Sequence, residues 1–315
     1  MKVLIIGSAG FVGGHLVEYL SLLPTVEVFA SKLSTERLED ICIANKNIFN
    51  LDILNKDEVE NILKRICPDY IIHLAAQSSV SYSWKEPALT FNVNLIGTIN
   101  VLEAVRKTGI HTRILLIGSA EEYGDIKPEE LPINESRDVD PSNPYAISKA
   151  SQEMVAGMYE KVYNMEIVMV RAFNHIGPGQ SPVFAISDFA KQIAEIERDI
   201  HEPVILVGNL EAKRDFTDVR DIVRGYWELV QNGVKGEIYN IGSGTCYSLQ
   251  SLLDRMIGMS NKEIDIKVDP DKLRPVDIPE LRADISKING HVHWQPQIKM
   301  DVTLSDILDY WRTKC

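Results

Sequence analysis

Four cysteines are all that the 315 residues contain, and Cys42, Cys67, Cys246 and Cys315 are scattered, with no CxxC pair and no histidine at ligand spacing. That rules out a disulfide scaffold, argues against a structural zinc site, and fits a reducing compartment. No metal site is expected. There is no apolar run of the roughly 20 residues that a bilayer span needs, so no membrane partner is expected. The first strand begins at Lys2, which leaves no room for a signal or transit peptide and gives the expectation of a cytoplasmic protein. A positive surface is missing too. The net charge is −12, which argues against nucleic acid as a partner, so any anionic ligand must be drawn by a local basic pocket against the global field. Repeats, low-complexity tracts and flexible linkers are absent. The 45% hydrophobic and 25% charged residues are ordinary for a globular chain long enough for one large α/β domain, or for a domain with a smaller lobe.

What is present begins at the N-terminus. Lys2-Val3-Leu4-Ile5-Ile6 is a short apolar run, rich in β-branched residues, that reads as a strand buried on both faces. Gly7, Gly10 and Gly13 follow, and Phe11 and Val12 lead into a helix. Gly7 permits the turn off the strand, Gly10 leaves room for a pyrophosphate against backbone N–H groups, and Gly13 lets the helix pack close to the sheet. The pyrophosphate would sit at the positive end of the helix dipole. Lone glycine triplets are common in tight turns. Between a buried strand and a helix the triplet carries much more weight.

Strands and helices alternate from there. Val26–Ala30 reads as a second strand, followed by Ser31, Lys32 and Leu33, with no acid to hold a ribose 2′-OH. Lys32 is placed to accept a 2′-phosphate, which leans the reading to NADP(H), or to a site that also takes NAD(H); a solvated surface lysine is the competing reading. Residues 47–53 read as a third strand ending at Asp52 and Ile53, with Asp52 either reaching an adenine or capping the helix 57–66. Tyr70–Leu74 is the fourth strand, closing on Ala75 and Ala76, whose small side chains leave space for a cofactor, and His73 reads as a core histidine. An amphipathic helix spans about 87–107, Arg113–Gly118 is the fifth strand, and Glu166–Arg171 is the sixth. Residues 172–180, rich in Gly and Pro, read as a loop that starts a substrate lobe. Residues 211–215 read as a basic loop.

The chemical residues lie between the fifth and sixth strands. Ser119 follows the fifth strand, and Tyr145 and Lys149 stand four apart at the start of a long helix, on one face and one turn apart. A phenol with an ordinary pKa of about 10 needs help to exchange a proton near neutrality. Lys149 would favour the phenolate, and a drop of about three units corresponds to roughly 4 kcal/mol. Ser119 would hydrogen-bond a carbonyl oxygen and aim it at Tyr145.

Taken together, Gly7…Gly10…Gly13, Asp52-Ile53, Leu74-Ala75-Ala76, Ser119 before Tyr123-Gly124, and Tyr145…Lys149 resemble the extended short-chain dehydrogenases/reductases over essentially the whole chain. The resemblance implies an α/β fold: a Rossmann doubly wound parallel sheet over 1–172, with a returning segment at about 214–242, and a smaller C-terminal α/β substrate lobe from 173–213 and 243–315. It implies bound NADP(H) or NAD(H), a nucleotide-sugar substrate, and a homodimer through the helices near 87–107 and 144–164. Lys149 would also hold the nicotinamide ribose. Residues 73–78, which include Gln77, together with 208–215 and Leu273-Arg274-Pro275, are similar to the GDP-mannose 4,6-dehydratase branch. Residues 171–180 and 187–197 are most similar to the branch that reduces GDP-linked 6-deoxy-4-keto-mannose toward GDP-rhamnose. By that resemblance Gln77 lines the substrate site, Asn174 contacts the diphosphate, and Arg214 and Arg274 pair with phosphate and ribose, with a structural ion pair as the lesser reading for each arginine.

The resemblance leaves two activities and one inactive role. Dehydratases of the family use a glutamate two residues after the Ser/Thr as base, and Glu121 occupies that position. Ala120, just before it, lacks the acid or hydroxyl that many of them carry, which favours simple reduction, with Glu121 bonding a sugar hydroxyl. Epimerising reductases place a cysteine beside the serine, and none lies near Ser119. Non-catalytic dinucleotide sensors of this fold usually lose the tyrosine or lysine, and both are intact here.

Overall fold

The computed structural model describes residues 1–38, 43–273 and 279–315. In the first half β1 (Lys2–Ile6), β2 (Glu27–Lys32), β3 (Ile48–Asn50), β4 (Tyr70–His73), β5 (Arg113–Ser119) and β6 (Glu166–Ala172) alternate with helices. These are α1 (Phe11–Ser21), α2 (Lys56–Ile66), α3 (Val80–Lys85), α4 (Pro87–Phe91), α5 (Gly97–Thr108) and α6 (Pro144–Tyr163). The second half runs β7 (Asn174–Ile176), α7 (Ala185–Glu197), β8 (Val204–Val207), β9 (Lys213–Asp218), α8 (Val219–Asn232) and β10 (Ile238–Ile241). It ends with β11 (Cys246–Ser248), α9 (Leu249–Ile257), β12 (Asp265–Val268), β13 (Glu280–Leu281), α10 (Ser286–Val292) and α11 (Met300–Lys314).

The large sheet is parallel throughout, in the order β10-β6-β5-β4-β1-β2-β3. The order reverses between β1 and β4, and a crevice at the strand ends belongs at that switch point. The period-two alternation of β1 explains its continuous apolar run. Val3 and Ile5 enter a core with α1 and α8, while Leu4 and Ile6 enter the opposite core with α2, α5 and α6. The smaller sheet is centred on β9, flanked by β11, β13 and β7. Helices α7, α9 and α11 close over β8 in a third core.

Three expectations are corrected. Residues 213–215 are not a loop: they open β9, where Arg214 and Asp215 are buried, Arg214 pairs with β11 and β13, and Asp215 pairs with β11. Residues 174–176, expected within a loop, form β7, because that tripeptide is free of Gly and Pro and finds Phe216–Asp218 as a partner. Residues 286–294, expected in the lobe, pack Ile288, Val292 and Trp294 into the first core, where the Trp294 indole donates to the Asp221 carbonyl at 2.9 Å.

One helical path runs over Pro87–Thr108, interrupted by a π turn at Asn92–Ile96. By length and composition alone it is apolar enough to cross a membrane, yet it buries Asn94, Thr98 and Asn100 against the rest of the fold.

Candidate active site

The glycine turn is built by exclusion. Gly7 sits at φ +93°, and a Cβ there would lie 2.7 Å from the Ala75 amide nitrogen. A Cβ at Gly13 would lie 2.4 Å from the Gly7 carbonyl, so α1 and the strand end touch through bare backbone. Gly10 is the N-cap of α1, and neither a capping side chain nor an acid in the first turn competes for its N–H groups. That arrangement fits a pyrophosphate. Leu74 and Ala75 both donate to the Ile6 carbonyl, at 2.9 and 2.8 Å, which pins the ends of β4 and β1 together beside the turn. Ala76 follows them, half-buried. Phe11 stacks on His175 at 6.3 Å, and the His15 ring bonds the Pro178 carbonyl at 2.8 Å, tying α1 to the segment after β6. Val12 is half-buried beside Phe11.

Other expected cofactor residues are partly engaged elsewhere. The Lys32 ammonium donates to the Glu36 carbonyl at 2.7 Å, and to the Leu33 carbonyl and the Asn50 side chain at 3.1 Å. Ile53 is buried against Gly97, where a Cβ would meet it at 2.4 Å. Asp52 accepts from the Leu54 amide at 2.9 Å and closes its own turn, while the α2 cap is Asn55, which directly precedes the helix.

Ser119, Glu121, Tyr145 and Lys149 come together. Ser119 ends β5 in extended conformation and caps the short turn Ala120–Tyr123. Asn143 caps α6, accepting from the Ala146 amide at 2.9 Å, with Pro144 in the first turn. The Ser119 side chain lies near enough to the Tyr145 phenol to favour its charged form. Asn143 also donates to the Glu121 carboxylate at 3.2 Å, so the α6 cap holds Glu121 as well. Lys149 is buried and donates to the Ile117 carbonyl at 2.7 Å and to Gln152 at 3.1 Å.

The electrostatics differ from expectation. Burial pushes the Tyr145 phenol above its usual range; the Ser119 bond pulls it down, while Glu121 and Glu122 push it up again. The Lys149 ammonium donates to Ile117 and Gln152 rather than to the phenol. Burial brings Lys149 itself down to about 8, opposed by Glu122.

Several residues were missed. Asn94, inside the π turn, accepts from the Gln77 amide at 2.8 Å and donates to the Gln77 carbonyl at 3.0 Å and the Ser148 hydroxyl at 2.9 Å. Its signal was an asparagine in the middle of an apolar helix. Glu122 and Arg171 are buried, and Glu153 holds the Arg171 guanidinium in a fork at 2.9 and 2.7 Å. They read as ordinary charges in the sequence.

The substrate-side residues are more dispersed. The Gln77 side chain donates to the Ser79 carbonyl at 3.0 Å and to Thr90 at 3.1 Å, so its loop employs it. Asn174 is exposed on β7, in register with Phe216, two residues along β9 from Arg214. Arg214 donates to the Lys213 carbonyl at 2.9 Å. Arg274 lies outside the described residues.

Comparison with known proteins agrees with this geometry. The family model described as GDP-mannose 4,6 dehydratase matches residues 4–307. The GDP-6-deoxy-D-mannose reductase of Pseudomonas aeruginosa is 30% identical, over 99% of this chain and 98% of its own length. The GDP-mannose 4,6-dehydratase of Vibrio cholerae is 25% identical, over 98% of this chain and 92% of its own. The solved structure of RMD from Pseudomonas aeruginosa, complexed with NADPH, superposes with a TM-score of 0.89 at 29% identity, covering 100% of this chain and 99% of that one. Thermus thermophilus UDP-glucose 4-epimerase, in complex with NAD, gives 0.87 at 27% identity, with 100% of both chains covered. The glycine turn, the Ser119–Tyr145–Lys149 group and these likenesses place the chain in the GDP-mannose 4,6-dehydratase-like family of extended short-chain dehydrogenases/reductases, whose members are NAD(P)-dependent nucleotide-sugar oxidoreductases, dehydratases and epimerases.

Proposed function

We propose that the protein reduces the C4 ketone of GDP-4-keto-6-deoxy-D-mannose to GDP-D-rhamnose with NADPH, and accepts NADH less well. The observation that carries the reading is the likeness, over 99% of this chain, to the Pseudomonas aeruginosa protein described as GDP-6-deoxy-D-mannose reductase. Ala120 before Glu121 supports the same direction, since it leaves no acid or hydroxyl beside that glutamate. A phenol holds its proton at neutral pH, so Tyr145 has one to give to a forming alkoxide.

The nicotinamide dinucleotide, when bound, supplies the hydride. Gly7, Gly10 and Gly13 would hold its pyrophosphate, and Lys149 its nicotinamide ribose. Tyr145 gives its proton to the oxygen developing at C4. Ser119, fixed by the Glu121 amide at 3.2 Å, steadies that oxygen, where a prearranged donor acts at the point of growing negative charge. Asn143 keeps Glu121 beside a sugar hydroxyl. Asn174 and Arg214 serve the diphosphate end, and Arg274 is proposed with them on the sequence resemblance.

We also propose a homodimer in a reducing compartment, the cytoplasm. Ile147, Met154, Met158 and Val162 form an exposed apolar stripe along α6, with Leu89 and Ile96 exposed on the neighbouring helical path. A stripe at that spacing marks a helix face with a partner.

The test is to mix the protein with NADPH and freshly made GDP-4-keto-6-deoxy-mannose and follow the reduced nicotinamide by absorbance. Steady loss, with a product that co-migrates with GDP-rhamnose, supports the reading. No loss, with GDP-mannose converted to the keto-sugar, makes Glu121 a base and the protein a dehydratase.

A further inference from the structure

Two adjacent glutamates follow Ser119, and the fold sends them in opposite directions. Glu121 faces Asn143, whereas Glu122 is turned inward with no exposure at all. One Glu122 oxygen, Oε1, accepts from the Ser119 amide at 2.6 Å. The other, Oε2, stands 3.9 Å from Arg171 Nε and has no hydrogen-bond partner among the described residues. The chain makes room for this carboxyl: a Cβ at Gly118 would lie 2.4 Å from Glu122 Oε1. Arg171 is itself braced by Glu153 and lies over the Tyr123 ring at 4.7 Å, whose hydroxyl donates to Asn240 at 2.7 Å.

A buried carboxyl with one oxygen unpaired costs stability, and an apolar residue at 122 would pack without that penalty. Its presence therefore asks for a reason other than packing. The amide it grips belongs to Ser119, the neighbour of the Tyr145 phenol, and the Glu121 amide donates to the Ser119 hydroxyl at 3.2 Å, so the same short turn fixes both ends of that residue.

We propose that Glu122 is a positioning residue for proton transfer at Tyr145: its buried carboxyl, set between the Ser119 amide and the Arg171 guanidinium, locks the turn that presents the Ser119 hydroxyl to the phenol. The inference rests on the reading of Tyr145 as the proton donor. The charges facing Glu122 are Glu153, Lys149 and Tyr145 from α6 and Arg171 from β6. Burial and Glu153 push the Glu122 carboxyl up to about 8, and the Ser119 amide, Arg171 and Lys149 pull against them. The Lys149 ammonium, brought down to about 8 by burial, is held up by Glu122 in return.

The experiment compares Glu122→Gln, Glu122→Leu and Tyr145→Phe with the wild type, using NADPH and GDP-4-keto-6-deoxy-mannose. Gln keeps an acceptor for the Ser119 amide but never becomes anionic, so the alkaline limb of the kcat profile moves down by about one pH unit, with KM within about twofold. Leu removes the acceptor. A folded Glu122→Leu loses kcat by about 10- to 100-fold while NADPH affinity, read by fluorescence titration, stays within about twofold. A Glu122→Gln profile superimposable on the wild type overturns the proposal, and so does a folded Glu122→Leu with wild-type kcat. If Glu122→Leu does not fold, the Gln limb alone decides. Wild-type turnover in Tyr145→Phe overturns instead the reading on which the proposal rests.

Discussion

Replacing Asn94 by alanine tests the joint between the crevice and the helix that carries Tyr145. Asn94 is wholly buried and makes three side-chain hydrogen bonds, with the Gln77 amide, the Gln77 carbonyl and the Ser148 hydroxyl. Ser148 in turn donates to the Tyr145 carbonyl at 2.7 Å. A typical internal hydrogen bond contributes about 1 kcal/mol net, and a buried group left without its partner costs about 1–3 kcal/mol. The Ser148 hydroxyl lies deep, whereas Gln77 is half-buried and regains part of its loss from water. The sum for Asn94→Ala is about 3–4 kcal/mol. Urea unfolding followed by circular dichroism reads it as a lower midpoint at an unchanged slope. kcat should fall too, because the first turn of α6 loses its anchor. A loss below about 1 kcal/mol would refute the reasoning, since it would mean that Gln77 and Ser148 find equivalent partners without Asn94.

Other changes read different parts of the account. Gly13→Ala places a methyl 2.4 Å from the Gly7 carbonyl, where only backbone can yield; NADPH affinity should drop at least about tenfold by fluorescence titration, with stability lower by about 1–3 kcal/mol. His73 is buried and brought down from 6.5 to about 3, so its neutral form is required for the fold. Its contribution is whole above pH 6.5 and is lost as the pH falls toward 3, on the order of 5 kcal/mol; His73→Gln should flatten that part of the stability profile in acid unfolding. Met154→Glu with Met158→Glu puts two charges on the exposed α6 stripe and should convert a dimer to a monomer by light scattering, while a protein monomeric from the outset would remove the proposed interface.

Much of the fold could be read because the pattern is local. The apolar run at 2–6, the glycines that follow it and the alternation of strands and helices all act over a few residues, and the same holds for the Tyr145–Lys149 spacing. What the sequence concealed depends on partners far along the chain. Residues 211–215 look basic and loop-like until β11 and β13 supply partners for the part that opens β9. Residues 286–294 join the first core beside α8 and β10, elements more than 40 residues away along the chain. The π turn around Asn94 becomes visible only when Gln77 and Ser148 are beside it. The burial of Tyr145 is hidden for a related reason: spacing along a helix shows that Lys149 stands one turn from the phenol, but not how deeply the fold encloses it, and that enclosure pushes the phenol up. Of Glu121 and Glu122, the sequence offered no way to tell which one faces inward.

The most direct test of the central claim is the turnover of Tyr145→Phe beside the wild type, with NADPH and GDP-4-keto-6-deoxy-mannose, each protein also titrated with NADPH alone. The account predicts that the variant binds NADPH within about twofold of the wild type and loses kcat by about 100-fold or more, since a proton donor in the transition state contributes roughly that much. A variant that reduces the keto-sugar at the wild-type rate would contradict it.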